Sequence, residues 1–388
     1  MPHLRWHTAG ESHGPELVAW VEGCPAGVPL LAEHVDEELA RRQKGYGRGG
    51  RMKIETDRAR LVAGVRDGET LGSPIALVIE NRDFVSWAGK MGPEKLTAPR
   101  EALTRARPGH ADLAGGLKYD RKDLRDILER ASARETAARV AASVVARRLL
   151  EEVGVRVAAH VVSLGGIAIE RAPSSFDALR DAARASDLAT IDPDAELAWR
   201  AAIHAASHDG DTLGGVVEVV TDGVPPGLGS HVTWDRKLDG RIAQALMSVP
   251  AVKGVEIGLG FEAARLRGSA VHDAIAYDAA RATFSRATNG AGGIEGGISN
   301  GAPIVVRAAM KPISTLRRAL RSVDVVTKEA SDAAFERSDI CAVAACSVIA
   351  EAMVCLVLAD ALLEKSGGDS IGEVKRNVAA FVAAQRAY

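Results

Sequence analysis

The sequence predicts a single α+β domain over residues 1–388, because strand-like and helical stretches follow one another without a low-complexity linker or a fixed-period repeat. Apolar residues make up 47% of the chain and charged residues 26%, while aromatic residues account for only 4%. This is the composition of a globular protein with a substantial core, which Ala, Val and Leu must fill.

Apolar spacing predicts the elements of the first half. Short runs favour strands at residues 4–8, 17–22, 60–65 and 75–80, and residues 30–44 favour a helix whose polar side carries Glu37, Glu38, Arg41 and Arg42. Residues 81–119 are rich in Pro and Gly and are predicted to form a long loop, which in a compact protein is usually functional or disordered. Residues 132–153 have the composition of a helix, and Gly154 ends it.

The second half predicts strands at residues 155–164, 216–221, 252–257 and 304–308, with a helix near 237–247. Residues 173–208 are predicted to be helical and peripheral. Two helices, at 340–365 and 371–386, close the chain. The most apolar stretch, 341–363, is interrupted by Ser347, Glu351 and Asp360, so it favours a buried helix over a membrane span.

Charge and cysteine usage narrow the function classes. The net charge of −2 gives no global field to attract nucleic acid or an acidic membrane. Cys24, Cys341, Cys346 and Cys355 form no C-x-x-C pair, which is typical of buried free thiols in a reducing compartment. The N-terminus lacks an apolar signal core. We therefore expect a cytoplasmic enzyme.

Four loops carry glycine, arginine or histidine in combination: GESHG at 10–14, GYGRGGR at 45–51 and RPGHAD at 107–112 contain glycine, and RASARET at 130–136 contains two arginines. Glycine lets backbone amides approach an anion, and arginine offers a planar fork for phosphate or carboxylate. Histidine titrates near pH ~6.5 and can exchange protons at neutral pH. The loops predict acid–base chemistry on a phosphorylated substrate.

Taken together, these loops resemble the chorismate synthase family. Residues 10–25, 129–144 and 337–353 are similar to its three signatures, and RPGHAD, DGDTLGG, VKGVEIG, GGIEGG, AMKPIST and EKSGGDS occur in the family's order. The resemblance covers essentially the whole chain and is closest to the bacterial form without long insertions. It implies a β-α-β sandwich of antiparallel sheets packed between helical layers, assembled as a homotetramer.

The resemblance also implies a reaction, the anti 1,4-elimination of phosphate from 5-enolpyruvylshikimate 3-phosphate to give chorismate. The family requires reduced FMN although no net redox occurs. By the same resemblance, His13 protonates the leaving phosphate, His110 holds a proton against the flavin, and Asp339 helps remove the C6 proton through flavin N5. No flavin reductase domain is visible in the sequence, so an external flavin reductant is expected.

The binding residues follow from the same resemblance. The substrate carries roughly four negative charges at pH 7, which need cationic partners if they are buried. The matching substrate arginines are Arg42, Arg48, Arg51, Arg107, Arg134 and Arg337, and family members with their own flavin reductase also use the first two for NADPH. The matching flavin contacts are Arg130, Ala131, Ser132, Ala251, Gly296, Lys311, Pro312, Ile313, Ser314, Thr315 and Arg337.

The chain departs from the family pattern at a few positions. Gly290 stands where an arginine is usual, and this change is expected to lower affinity for substrate or flavin. Ile340, Ala344 and Ser143 also differ, and we interpret these as packing adjustments. The departure at Gly290 keeps open a second hypothesis, a degenerate family member that binds flavin or substrate without turnover.

Other functions fit the sequence less well. Residues 48–51 read RGGR, as in RNA-binding elements, but the chain lacks the interleaved aromatics and positive charge of such proteins. His204 and His208 lie four apart on a predicted helix, as two metal ligands would, yet no third ligand has suitable spacing, so no metal site is predicted. Residues 258–260 read GLG after a strand, but no βαβ unit follows.

Overall fold

The chain forms short strands and helices in nearly the order that the sequence predicts. The structure is a computed structural model that describes residues 3–49, 55–95, 101–280, 282–336 and 338–388. The strands are β1 Arg5–Ala9, β2 Glu16–Glu22, β3 Ala59–Ala63, β4 Val65–Arg66, β5 Glu69–Thr70, β6 Ile75–Glu80, β7 Arg156–Leu164, β8 Ile167–Ala168, β9 Gly215–Asp222, β10 Val252–Ile257, β11 Ile275–Asp278, β12 Thr283–Arg286, β13 Ile294–Glu295, β14 Ile298–Ser299, β15 Val305–Met310, β16 Arg321–Val323 and β17 Ala330–Asp332. The helices are α1 Ala32–Gln43, α2 Asp112–Tyr119, α3 Arg125–Ala131, α4 Thr136–Glu151, α5 Phe176–Ala185, α6 Pro193–Asp209, α7 Leu238–Met247, α8 Gly268–Val271, α9 Val343–Ser366 and α10 Ile371–Arg386.

Two antiparallel sheets hold most of the longer strands. The first has the order β1-β2-β6-β3, and the second has the order β10-β15-β9-β7-β8. In each sheet, alternate side chains of the central strands are buried: Leu17, Ala19 and Val21 on β2, and Val217 and Val219 on β9. This period of two directs one face of each sheet to the core.

A layer of helices lies between the two sheets. Helix α4 packs against β1, β2 and β6 of the first sheet, and α9 packs against β7, β9 and β15 of the second. The two helices also pack extensively on each other, with α1 and α7 beside them. The predicted α+β class and β-α-β sandwich are confirmed, and the principal helices form the middle layer. Helix α5 packs along β7, beside the short edge strand β8.

Small residues make the middle layer possible. Helix α4 buries Ala137, Ala138, Ala141, Ala142 and Ala146, and α9 is alanine-rich in the same way. A helix that is buried on nearly every side is expected to be apolar all round, and α9 nearly is. Helix α4 also carries Arg139, Arg147 and Arg148, whose polar groups bond to Glu135, Glu351 and the carbonyl of Pro29. The apolar stretch of α9 is long enough to cross a membrane, but 94% of its most apolar window is buried inside the fold. The predicted buried helix is therefore confirmed, as are the four buried free cysteines.

The differences from the predicted elements lie where tertiary contacts override local pattern. The long loop predicted for residues 81–119 ends in helix α2, and α3 follows it before α4. The predicted 132–153 helix begins at Thr136, after a 3₁₀ turn at Ala133–Glu135. The hairpins β11–β12 and β16–β17 were not expected either. Two residues assigned to the polar side of α1, Glu38 and Arg42, are buried.

Candidate active site

Several loop segments and helix ends meet around a cavity of about 460 Å³. The contributing segments are the β1–β2 turn, the end of α1, the loop before α2, the α3–α4 junction, the segment after β15 and the segment before α9. The volume is in the range of small-molecule sites. Fifteen residues expected to act in catalysis or binding line it: His13, Arg42, Arg48, Arg107, His110, Ala131, Ser132, Arg134, Ala251, Lys311, Pro312, Ile313, Ser314, Thr315 and Asp339.

The first histidine, His13, lies in the β1–β2 turn and is only 8% exposed. Its Nδ1 lies 2.8 Å from Glu129 Oε1, and its backbone N–H donates to Glu129 Oε2 at 2.7 Å. Trp87 packs against the imidazole with ring centroids 4.4 Å apart. Burial raises the pKa of Glu129, but the hydrogen bonds and charge of His13 outweigh burial and hold this pKa below its ordinary value. Glu129 is therefore a carboxylate at neutral pH.

The second histidine, His110, belongs to a tight group with Asp112 and Arg107. His110 Nδ1 lies 2.6 Å from Asp112 Oδ1, and Arg107 Nε donates to Asp112 Oδ2 at 2.8 Å. Arg107 Nη1 donates to Thr315 Oγ1 at 3.1 Å, which ties this loop to the segment after β15. Although burial raises the pKa of Asp112, the hydrogen bonds from His110 and Arg107 lower it well below its usual range.

Two buried arginines share the carboxylate of Asp57. Arg134 Nη1 donates to both oxygens of Asp57, at 2.6 and 2.7 Å, and its Nε donates to Asn81 Oδ1 at 2.8 Å. Arg42 donates from Nε to Thr136 Oγ1 and from Nη2 to the carbonyl of Ala133, both at 2.9 Å. Arg42 Nη1 lies 3.5 Å from Asp57 Oδ2 and has no hydrogen-bond partner in the described part of the chain.

The electrostatic environment of Arg42 favours an added anion. Burial, together with the charges of Arg134 and Arg48, outweighs Asp57 and lowers the pKa of Arg42 to about 10. A guanidinium stays protonated at neutral pH, so the lowered pKa means that the positive charge is incompletely compensated. A phosphate or carboxylate beside Nη1 would supply the missing acceptor and charge.

The carboxylate of Asp339 is held in place from the glycine-rich loop. Arg48 Nε lies 2.9 Å from Asp339 Oδ2, and the backbone N–H of Gly49 donates to Oδ1 at 2.6 Å. A Cβ on residue 49 would lie 2.9 Å from the carbonyl oxygen of Ser338, so only glycine lets the loop approach this closely. The loop thus presents Asp339 to the cavity in a fixed orientation.

The segment from Lys311 to Thr315 forms another wall. Lys311 Nζ donates to the carbonyl of Gly109 at 2.5 Å, and its backbone N–H donates to the carbonyl of Ala251 at 2.9 Å. Ala251 has φ +70°, a left-handed conformation that is uncommon for a residue with a side chain. Strained backbone of this kind is concentrated at functional sites.

The structure does not bring every expected site residue to this cavity. Arg130 turns toward β1 and donates to the carbonyls of Thr8 and Gly10. Gly296 lies in the β13–β14 turn and is not among the residues that line the cavity. The next residue, Gly297, accepts a hydrogen bond from Leu238 at the N-terminal end of α7, whereas Ala251, which lines the cavity, follows the opposite end of that helix. Arg51 and Arg337 lie outside the described residues.

The sequence also missed several residues of the site. Ser12, Trp87 and Glu336 line the cavity, while Asp112 and Glu129 support the two histidines from behind. Asp112 and Glu129 stand within the RPGHAD loop and the second signature, so a search for carboxylates near each histidine would have suggested Asp112. Trp87 lies in a stretch without any distinguishing pattern, and Asp57 likewise carries no local signal.

The cavity brings two histidines, a carboxylate and several arginines together, a lining that suits a small anionic ligand. The family model for chorismate synthase matches residues 4–363. Relatives named chorismate synthase include those of Geobacter sulfurreducens, 55% identical over 99% of this chain and 100% of the relative, and Desulforudis audaxviator, 59% identical over 96% of each. A crystal structure of chorismate synthase matches 99% of both chains with a TM-score of 0.81 and 44% identity. The chain belongs to the chorismate synthase family.

Proposed function

We propose that this protein eliminates phosphate from 5-enolpyruvylshikimate 3-phosphate to give chorismate. Family membership supports the reaction class, a lyase of aromatic biosynthesis. The observation that carries the proposal is the gathering of His13, His110 and Asp339 around one cavity that also contains buried arginines. A substrate with roughly four negative charges requires such arginines, since unpaired buried charge is prohibitively costly.

The cavity is also suited to reduced FMN. Arg42 Nη1, which has no hydrogen-bond partner among the described residues, and the cationic lining fit a phosphate group. The wall formed by Ser132, Ala251 and the Lys311–Thr315 segment matches the expected flavin contacts. When bound, reduced flavin supplies electron density transiently to the allylic system without net redox. Arg42 and Arg48 also match positions that the family links to NADPH, but the chain's own reductase activity is not part of the proposal.

The side chains of the site divide the proton work. His13 donates a proton to the phosphate as it leaves, which neutralises developing negative charge. His110 holds a proton on the opposite loop, where Asp112 fixes its ring. Asp339 helps remove the C6 proton of the ring, and its contacts with Arg48 and the Gly49 N–H hold the carboxylate in place at the cavity wall.

Anaerobic turnover with chemically reduced FMN tests the proposal directly. Chorismate and free phosphate should appear in equal amounts from 5-enolpyruvylshikimate 3-phosphate. His13→Ala and Asp339→Asn should each reduce turnover by about a hundredfold or more while flavin binding is retained. His204→Ala serves as the matched control, because His204 is exposed on α6 and lies away from the cavity. Ligand binding with no product would contradict the proposal and favour the degenerate-member hypothesis.

The assembly of the enzyme, its location and the source of its reduced flavin are inferred from the family as well. We infer a cytoplasmic homotetramer that depends on an external reductant for its flavin, as family members without their own flavin reductase do. Light scattering of the purified protein should give four times the chain mass of 40.7 kDa. Chorismate formed from oxidised FMN and NADPH alone would contradict the need for an external reductant.

A further inference from the structure

Glu129 is a buried carboxylate that contacts His13 at two points, the backbone N–H and the ring nitrogen Nδ1. Its side chain is 2% exposed and lies behind the histidine, not among the residues that line the cavity. Oε1 lies 2.8 Å and Oε2 3.1 Å from His13 Nδ1, while Oε2 also accepts the backbone N–H of His13 at 2.7 Å. One buried group therefore fixes both the turn and the ring.

Further contacts restrict both partners. Glu129 accepts a hydrogen bond from Arg125 Nη1 at 3.3 Å, and its backbone carbonyl accepts the N–H of Ser12 at 3.0 Å. Trp87 packs against both His13 and Arg125, with the Arg125 guanidinium carbon 4.8 Å from the tryptophan ring. A carboxylate at one edge and an indole over one face leave the imidazole little freedom to rotate.

This geometry determines which nitrogen of His13 can act. A carboxylate only accepts hydrogen bonds, so the nitrogen that faces it must carry a hydrogen. Because Nδ1 faces Glu129 and His13 lines the cavity, Nε2 is the ring nitrogen that can exchange a proton with a ligand there. When His13 is a charged imidazolium, Glu129 also compensates its positive charge. The surrounding elements bring further charged groups: Arg125, Glu336, Lys90 and Glu11.

We propose that Glu129 is a positioning residue that holds His13 with its proton on Nδ1, so that Nε2 is the atom that transfers a proton to the departing phosphate. This rests on the proposed function for the identity of the reaction, but the state of the His13 ring does not depend on it. The role resembles that of carboxylates that orient histidines elsewhere, where the partner fixes the tautomer without touching the substrate.

The test uses the full-length protein labelled with ¹⁵N in histidine, with His13→Ala to assign the His13 signals. Long-range ¹H–¹⁵N correlation should show a single Nδ1-protonated tautomer for neutral His13 in the wild-type protein. Glu129→Gln should give a mixture of tautomers, because an amide can accept or donate a hydrogen bond. Its kcat should fall about tenfold to a hundredfold, as for other partners that orient histidines, with KM changed less than threefold. Glu129→Asp should keep the Nδ1 tautomer and recover part of kcat.

Glu218→Gln is the matched control. Glu218 Oε1 lies 3.1 Å from His160 Nε2 in the five-stranded sheet, so this variant removes another carboxylate–imidazole pair and should leave the His13 signals unchanged. A tautomer mixture in the wild-type protein would overturn the proposal even if Glu129→Gln fails to fold. Loss of kcat in Glu129→Gln with an unchanged His13 tautomer would also overturn it. An inactive wild-type protein would refute the reaction while the tautomer comparison still decides the role of Glu129.

Discussion

Arg41 and Arg42 are consecutive residues of α1, yet they belong to two different buried charge clusters. Arg41 forms a fork with Glu351, Nη1 to Oε1 at 3.0 Å and Nη2 to Oε2 at 2.9 Å, and also pairs with Glu38. Arg42 faces Asp57 and the cavity, and one of its nitrogens lacks a hydrogen-bond partner among the described residues. Neighbouring helix positions point about 100° apart, so one helix can serve both clusters.

The two guanidinium groups also differ in the direction of their pKa shifts. Burial lowers the pKa of Arg41, but the carboxylates of Glu351 and Glu38 outweigh burial and raise it above its ordinary value. Burial lowers the pKa of Arg42 as well, and there Asp57 does not compensate for the nearby Arg134 and Arg48. Arg41 finds its acceptors within the protein, whereas Arg42 Nη1 has none among the described residues. We therefore expect the first cluster to contribute to stability and the second to ligand binding.

The largest expected effect is on stability, from Arg41→Met. This change leaves the buried Glu351 with only part of its compensation, from Arg147. Breaking a buried ion pair by removing one partner typically costs about 3–5 kcal/mol. We expect a loss of that size in the free energy of unfolding, measured by urea denaturation, with kcat per folded molecule unchanged. A loss below about 1 kcal/mol would mean that the cluster is not a stabilising one.

Arg42→Met is the converse experiment. Because Arg42 is incompletely paired, its removal should change the free energy of unfolding less than Arg41→Met does. Losing a charged hydrogen bond of about 1.5–3 kcal/mol should instead raise KM for 5-enolpyruvylshikimate 3-phosphate by about tenfold or more. Titration with inorganic phosphate provides a second readout, since thermal stabilisation by phosphate should be smaller in Arg42→Met than in the wild-type protein. If Arg41→Met and Arg42→Met lower the free energy of unfolding equally, the two arginines do not differ in their contribution to stability.

Arg41 and Arg42 show which features of the structure could be predicted from the sequence and which could not. Periodicity placed α1 within two residues at each end, and the loop motifs identified most of the cavity lining. The pattern placed both arginines on the polar side of α1 without distinguishing them, because a 3.6-residue period cannot show that a charged residue is buried against a distant carboxylate. Glu351 is 310 positions from Arg41 in the sequence, and Glu129 is 116 positions from His13. Such pairings are set by tertiary packing, so sequence reasoning supplied the loops but not the partners that fix them.

The pH dependence of stability tests the same comparison through Glu351, the carboxylate that pairs with Arg41. Burial raises the pKa of Glu351, but Arg41 and Arg147 outweigh burial and lower it to about 2. A carboxyl with a depressed pKa contributes stability that is present above its unfolded pKa of about 4.3 and is lost as pH falls toward the folded value. The melting temperature should therefore fall between about pH 4 and pH 2 more steeply in the wild-type protein than in Glu351→Gln. Parallel curves would show that Glu351 is not the group responsible.

The smallest expected effect on binding comes from Gly290→Arg, which restores the residue usual in the family. Gly290 is not among the residues that line the cavity, and its N–H donates to Asp273 Oδ1 at 2.7 Å. A Cβ at this position would lie 2.6 Å from the carbonyl oxygen of Val271, so the segment would have to shift. In place of the effect on affinity expected from the sequence, we therefore expect KM for the substrate to stay within twofold while the free energy of unfolding falls by about 1–3 kcal/mol. Gly240→Arg is the control for an added arginine, because a Cβ there makes only ordinary contacts at 3.9 Å and should cost little. If Gly290→Arg instead lowers KM several-fold, position 290 belongs to the binding site in the working enzyme. The set of residues that a ligand completes would then extend beyond the cavity around Arg42.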